Sequence, residues 1–551
     1  MANNKYIKTG FAIAGVLMLA AYISGLFVDL TGDASKYGAI ARHIVDSGDW
    51  INLKIHGEPY EQKPPLLFWL AAFGLKIGGL HNWSFKLFPV LYSLAGFYFT
   101  YKLAEILYNK NTAKLAVLLL STSWIYFFFT ADIHTDLVLQ ANTTLAIWQF
   151  AAYLKTQKTS HFVWAFVAIG LAVLTKGVVG AAVPAFALGA QLLFTKNYRQ
   201  LFHPKWLLGI VIVLLINIPT FWGLYQQFGL AGFKFFFITN NIGRITGEYI
   251  GSNNDYFYYL HTMAYLLQPW TFLWLFSFWY EIKSYFSKSA KKREYFTVGA
   301  IWMYLLIISI ARAKVPHYIF MIVPLIFIVV AHWLDEKMQQ PEQRTLRWLT
   351  GIQTVIPMVL LALLVLIISY LFPTGSLWIW IFVAVSFGTS VFFYLTKKEL
   401  QIRLLLPSAI MMLAFVLVMN LYTLPVIASY QASSQASRIF NNESLANDQM
   451  YNYLFPYYEV YFYTQKGAEP IYTINEFNPE KETTSWIFTT EEGKDSLLQV
   501  FPEMIQNIDT LKHQGMSRLR PRFFNPSTRK DALETTYLIQ LGAVQQEKEN
   551  F

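Results

Sequence analysis

The chain has 551 residues, 55% of them hydrophobic and 18% aromatic, and only 14% charged, well below the roughly 25% of a soluble protein. It has no cysteine, which excludes a disulfide framework, a thiolate metal site and a cysteine nucleophile. Its net charge of +10 lies mainly in short loops between apolar runs, a pattern of membrane topology and anionic headgroups rather than of nucleic-acid binding.

Apolar runs near the roughly 20 residues needed to cross a bilayer recur along most of the chain. They predict a polytopic α-helical membrane protein with about thirteen spans. In chain order these fall at 10–28, 86–108, 112–130, 137–153, 162–175, 178–194, 206–224, 257–280, 296–311, 315–334, 349–372, 377–396 and 404–424. The first run is too long for a signal-peptide core and has no small-residue cleavage site, so it is expected to be a retained helix. The segment 29–85 reads as a long first outer loop. Within it, 65–79 is apolar but short and opens on two prolines, which suits a helix in the interface, with a further span as the alternative.

Loop charge sets the orientation. With the N-terminus inside, the inner loops collect Lys110, Lys114, Lys155, Lys158, Lys196 and Arg199, and the dense basic run 283–293. An odd number of spans then places the C-terminal tail outside. From 428 to 551 the composition turns polar, with strand-like pieces at 460–463, 470–474, 485–489 and 536–540 and a helical period over 496–511. The expected division is a transmembrane domain over 1–427 and a periplasmic α/β domain over 428–551.

Cations that break the inside bias need a reason. Lys63, Lys86, Lys176, Arg244, Arg312 and Lys314 all fall near the outer boundary, where a cation is costly unless it snorkels or finds a partner. Converging on one cavity, they suit a lipid-borne phosphate. Acids are rarer there: Asp29 and Asp33 follow the first helix, and Asp132 and Asp136 flank a short loop. Asp33 and Asp136 both precede helical periods, so capping is the alternative for each. The outer histidines, including His134 and His317, show no metal-ligand spacing, and for His317 a satisfied packing role is the preferred reading. The aromatic clusters at 126–129, 233–237 and 256–259 suit an interfacial belt as well as a lipid groove.

The run Asp33-Ala34-Ser35-Lys36-Tyr37, then Ile40-Ala41-Arg42, Ser47-Gly48-Asp49-Trp50 and Tyr60-Glu61-Gln62-Lys63-Pro64-Pro65, resembles the first outer loop of the GT-C membrane glycosyltransferases. The lipid A aminoarabinose transferases and protein O-mannosyltransferases are the nearest branches. Leu174-Thr175-Lys176-Gly177 and Lys314-Val315-Pro316-His317-Tyr318 extend the resemblance. It implies an inverting transfer of sugar from a polyprenyl-phosphate donor to a lipid, glycan or protein acceptor of the cell envelope, at the outer face of the bacterial inner membrane. Asp33 falls on the family's catalytic carboxylate and Asp136 on its second acid. Lys63 falls on the lysine that meets the carrier phosphate, with Arg244 as a second contact and Lys86, Lys176 and Lys314 as further candidates. Tyr37, Glu61, Asp132, His317 and Tyr318 are candidate substrate contacts.

Two departures stand out: Ala34 replaces a frequent glutamate, and Gln62 and Asn241 occupy places where the aminoarabinose branch coordinates a metal. Neutral amides are poor ligands for such a cation, so no metal and no other cofactor is expected. The reading from another class is a transporter or flippase. It is disfavoured because the informative charges gather at one face rather than at mid-membrane on broken helices.

Overall fold

The computed structural model describes residues 4–248, 253–285, 294–340, 344–397, 399–479, 483–515 and 520–542. Most of the basic run 283–293 lies outside them. Among the described residues six helices are long and apolar enough to cross a bilayer, or seven if the bent pair Lys110–Ser121 and Trp124–Ala131 forms one span. Four shorter apolar helices accompany them: Ala12–Phe27, Leu66–Gly78, Val179–Phe194 and Phe296–Ile310. Leu66–Gly78 has 13 residues. At 1.5 Å per residue it is about 20 Å long, short of the roughly 30 Å hydrocarbon core.

Three apolar runs that read as single spans are divided. The run 112–130 becomes Lys110–Ser121 and Trp124–Ala131, bent by 50°. The run 206–224 becomes Lys205–Ile216 and Ile218–Lys234, interrupted at Asn217. The run 257–280 becomes Tyr258–Leu266 and Thr271–Tyr285. Hydropathy registers only length and apolarity, whereas a break is decided by whether the freed backbone groups find partners. Two of these breaks supply each other. The Trp124 N–H donates to the Gln268 carbonyl at 2.7 Å, and the Trp270 indole donates to Thr122 Oγ1 at 3.1 Å. At the third, the Asn217 side-chain amide donates to the Val213 carbonyl in the last turn of the first half, at 2.9 Å, and to the Gly170 carbonyl of a neighbouring helix, at 3.0 Å.

The helix Thr135–Thr156 runs through the core, its side chains buried along nearly its whole length. Its polar residues face neighbours instead of lipid. Gln140 donates to Tyr126 Oη at 2.5 Å, and Asn142 accepts from Tyr92 Oη at 2.6 Å. Such bonds join packed helices where water is absent. They also fix the position of Asp136 in the helix's first turn.

Beyond the helices, five strands form one mixed sheet in the order Ala468–Ile471, Gln449–Tyr453, Ser485–Thr490, Glu534–Leu541 and Ile505–His513. The first three run parallel and the last two pair antiparallel. Two expectations are corrected here. The aromatic run 460–463 is not a strand but the end of a short helix, Glu459–Tyr463. Its β propensity yields to tertiary contacts at both helix ends, described below. The period over 496–511 is not one helix. The helix Glu491–Val500 stops ahead of Pro502, and the strand Ile505–His513 follows.

Lys86 is also corrected as a phosphate-contact candidate. It is fully buried near the start of the helix Asn82–Leu107. Its ammonium donates to the carbonyls of Gly25 at 3.1 Å, Val28 at 2.7 Å and Ala131 at 2.5 Å. It thus caps the C-terminal ends of two helices, where a cation meets the negative ends of their dipoles. Lys86→Ala should therefore lower thermal stability in detergent by on the order of 3 kcal/mol, since it strands three carbonyls. Unchanged melting of the purified variant would refute this role.

Candidate active site

Asp33 opens the helix Asp33–Ser47. Gly32 precedes it at φ 54°, in the left-handed region that favours glycine. Gly32 is the N-cap residue and makes no side-chain cap bond, so Asp33 is not a capping residue. Its half-exposed carboxylate pairs with Lys36 at 2.9 Å. Burial pushes its pKa up, but the charge of Lys36, then those of His134 and Lys63, outweigh this and hold it below the ordinary carboxylate range. Asp33 is therefore ionised at neutral pH. Tyr37 is buried one turn further on, with its ring edge-on to that of His134 at 6.4 Å.

Asp136 lies in the first turn of Thr135–Thr156 and is fully buried. Both of its oxygens accept from Lys176 Nζ, at 2.7 and 2.6 Å. Lys176 is the last residue of the helix Thr159–Lys176, so the acid sits at one helix N-terminus and the cation at the neighbouring C-terminus. Each charge suits its helix dipole, and each neutralises the other. This pairing, rather than a cap bond, occupies Asp136.

The short loop ahead of Thr135–Thr156 adds His134, which the sequence weighs only as a metal ligand. His134 Nε2 lies 3.1 Å from Asp132 Oδ2, and its ring stacks on that of His317 at 4.7 Å. Burial lowers its pKa, but Asp132, then Asp33 and Asp136, outweigh that and raise it. His317 Nε2 is 3.8 Å from Asp136 Oδ2. The alternation Asp132-x-His134-x-Asp136 in a short loop is a legible signal, because acids on both sides of a histidine favour its charged form.

Lys63, Lys176 and Arg244 come together on the wall of one cavity of about 270 Å³. The rest of its lining is largely apolar, including Val179, Phe186, Phe237 and Ile308. Arg244 Nη1 donates to Tyr318 Oη at 2.7 Å, and its Nε donates to Asn240 Oδ1 at 3.0 Å. Asn240 in turn donates to the Gln62 carbonyl at 3.0 Å, which ties the Arg244 helix to the Lys63 loop. Lys176 Nζ lies 4.6 Å from the centre of the Tyr318 ring, a cation–π contact. Burial, and then the charges of Lys176 and Arg244, depress the Lys63 pKa well below its usual value, although Asp136 and Asp33 partly oppose them. An anion in this cavity would meet three donors and relieve their mutual repulsion.

The other candidates fall around this centre. Glu61 lines a small adjoining cleft with Lys63 and Tyr60, where burial raises its pKa. Asp132 is engaged with His134. Lys314 donates to the carbonyls of Asn253, at 3.0 Å, and Ala311, so it braces its own loop and is not among the cavity's lining residues. One of the two amides at the places weighed for a metal is already engaged. The Asn241 amide donates to the Phe236 carbonyl at 2.8 Å and the Phe237 carbonyl at 3.2 Å, and is committed to the backbone. Among the described residues, no three His, Cys, Asp or Glu side chains gather as a metal-holding group.

The family model described as dolichyl-phosphate-mannose-protein mannosyltransferase matches residues 62–222. An uncharacterised protein of Aquifex aeolicus is 28% identical over 326 residues, covering 58% of this chain and 63% of its own. The undecaprenyl phosphate-α-4-amino-4-deoxy-L-arabinose arabinosyl transferase of Pseudomonas paraeruginosa is 23% identical over 57% of both chains. Its Yersinia pestis counterpart is 26% identical over 55% of both. The chain thus spans about 55–63% of the length of these curated relatives. Crystal structures of ArnT from Cupriavidus metallidurans share the fold over 98% of both chains at 17% identity. The TM-score is 0.74 for the apo state and 0.72 for the complex with undecaprenyl phosphate. The family match, the curated relatives and the shared fold support the resemblance carried by the motifs of the 29–85 segment: the chain is similar to the ArnT and protein-mannosyltransferase type of GT-C membrane glycosyltransferase.

Proposed function

We propose that this multi-pass membrane protein is an inverting glycosyltransferase that moves a sugar from a polyprenyl-phosphate donor to a cell-envelope acceptor. The reaction takes place at the outer face of the bacterial inner membrane. The observation that carries this reading is the convergence of Lys63, Lys176 and Arg244 on an apolar-walled cavity within electrostatic reach of the ionised Asp33. A diester of phosphate and a long isoprenoid needs both features: donors for the headgroup and hydrocarbon for the chain.

The acceptor oxygen attacks the anomeric carbon. The carbon–oxygen bond to phosphate breaks, and polyprenyl phosphate departs with the bonding pair. Because the departing group gains negative charge, prearranged cations favour the transition state over the ground state. Lys63 and Arg244 meet that charge, while Lys176 shares its own with Asp136. For a hydroxyl acceptor, Asp33 takes the proton. For a phosphate acceptor no base is required, and Asp33 orients the nucleophile. No cofactor enters the scheme, so chelation of divalent metal should leave turnover largely intact, and activity lost to a chelator and restored by zinc would refute this. The transmembrane domain over 1–427 carries the reaction, and the 428–551 region lies on the outer side with Asp33.

Asp33→Asn should abolish transfer by the purified protein while leaving membrane insertion and melting near those of the parent, because the half-exposed carboxylate supports no packing. Normal turnover would remove Asp33 from the mechanism.

Lys63→Ala should weaken donor binding by about tenfold to a hundredfold, as a charge-assisted hydrogen bond is worth about 1.5–3 kcal/mol and each tenfold about 1.4. The depressed Lys63 pKa adds a pH signature. A bound phosphate raises that pKa, so binding takes up a proton. Affinity is then constant below the free-state pKa and falls as pH rises above it, until the bound-state pKa is reached. Calorimetry in buffers of different ionisation enthalpy measures this uptake, and uptake that persists in Lys63→Ala assigns it elsewhere.

Orientation is testable because the chain has no cysteine. An impermeant thiol reagent should label a single cysteine at Ser47 from outside and should fail to label one at Lys288. The reverse pattern inverts the topology.

A further inference from the structure

The helix that opens with Asp33 is gripped at both ends by one short helix of the C-terminal region, Glu459–Tyr463. At the near end, Glu459 is 2% exposed, and its carboxylate is enclosed by donors. Oε1 accepts from the Gly32 N–H at 3.2 Å and from Ser35 Oγ at 3.2 Å, the two residues that bracket Asp33 and Ala34. Oε2 accepts from Ser433 Oγ at 3.2 Å. Tyr463 Oη accepts from the Leu30 N–H at 2.6 Å, just ahead of the same turn, and donates to Asn82 Oδ1 at 2.8 Å.

At the far end the direction reverses. The buried Arg42 guanidinium donates to the carbonyls of Tyr461 at 3.1 Å, Phe462 at 3.2 Å and Gln465 at 2.8 Å, and to that of Thr464. Tyr461 and Phe462 lie in the last turn of that helix and Thr464 and Gln465 just follow it, so the cation meets the negative end of the helix dipole. Between the two ends, a Cβ at Gly38 would lie 2.8 Å from the Phe462 ring, so the helices meet without a gap. A carboxylate buried among neutral donors has no packing purpose that a methionine or leucine would not serve at lower desolvation cost.

We infer that Glu459 is a positioning residue for Asp33: the C-terminal region sets the place of the reacting carboxylate from outside the membrane domain. The inference rests on the assignment of Asp33 under Proposed function. It makes the C-terminal region part of the active-site geometry and gives an acceptor or partner bound there a route to turnover.

The test compares Glu459→Ala, Glu459→Gln and Ser35→Ala with the parent and with Asp33→Asn in the full-length protein. Misplacement of a reacting group by about 1 Å costs up to about a hundredfold in rate, so Glu459→Ala should lose about tenfold to a hundredfold in kcat. Its donor KM should be little changed, because the cation cavity is untouched. Glu459→Gln keeps one acceptor oxygen and should lose less. Ser35→Ala removes the hydroxyl shared between the Gly32 carbonyl and Glu459 Oε1 and should fall between Glu459→Gln and the parent, which provides a graded reading if Glu459→Ala fails to fold. A nitroxide on Ser47→Cys, paired with one on the membrane domain, should show a broadened distance distribution in the Glu459 variants. An inactive Asp33→Asn with parental kcat and an unbroadened distribution in the Glu459 and Ser35 variants would overturn the inference and leave the site assignment standing. An active Asp33→Asn would overturn the site assignment itself.

Discussion

The site depends on one buried ion pair. Asp136 has no solvent access, and its carboxylate is bridged by Lys176 through both oxygens. Alone, either charge at this depth would cost several kcal/mol of desolvation; together they lie at the facing ends of two antiparallel helices whose dipoles favour that arrangement. The pair contributes little net stability compared with an apolar replacement. Breaking it by removing one partner would leave an uncompensated charge, at a cost of about 3–5 kcal/mol. Its value is positional. It fixes the turn that carries His134 and Asp132 on one side and leaves Lys176 on the cavity wall on the other.

From this pair, two electrostatic environments follow. On the cavity side, Lys63 and Arg244 join Lys176, with the Asp136 charge shared with Lys176 and Asp33 only partly opposing them, so the wall carries an excess of positive charge in apolar surroundings. On the loop side, Asp33 is surrounded by Lys36, His134 and Lys63 and stays ionised despite its partial burial. An anion-accepting cavity therefore stands beside a stabilised carboxylate. Under the proposed function, such separation lets one small region bind a phosphate and act on a proton without the two functions cancelling.

The irregular backbone around the site has the same logic. Helices break where their freed groups can be satisfied by another break or by a buried amide, as at Trp124, Gln268 and Asn217. Lys86 performs that service for two further helix ends. In hydrocarbon these are the only terms on which a helix can stop short of the interface.

The amino-acid sequence by itself determined the membrane character, most apolar segments, the acid-and-lysine motifs of the 29–85 segment and the family resemblance. These depend on composition, run length and local order, all of which are written linearly. It also brought Lys63, Lys176 and Arg244 forward, because a cation near hydrocarbon is anomalous wherever it sits. It could not separate them from Lys86 and Lys314, since the same anomaly is resolved by backbone carbonyls in two cases and by a shared cavity in three. Nor could it distinguish a strand from a short helix at 460–463, where residues more than 400 positions away supply the partners of Glu459 and the cap of the helix end. Only the tertiary structure decided which charges meet, because pairing at hydrogen-bond distance depends on how distant segments pack, and no local pattern encodes that.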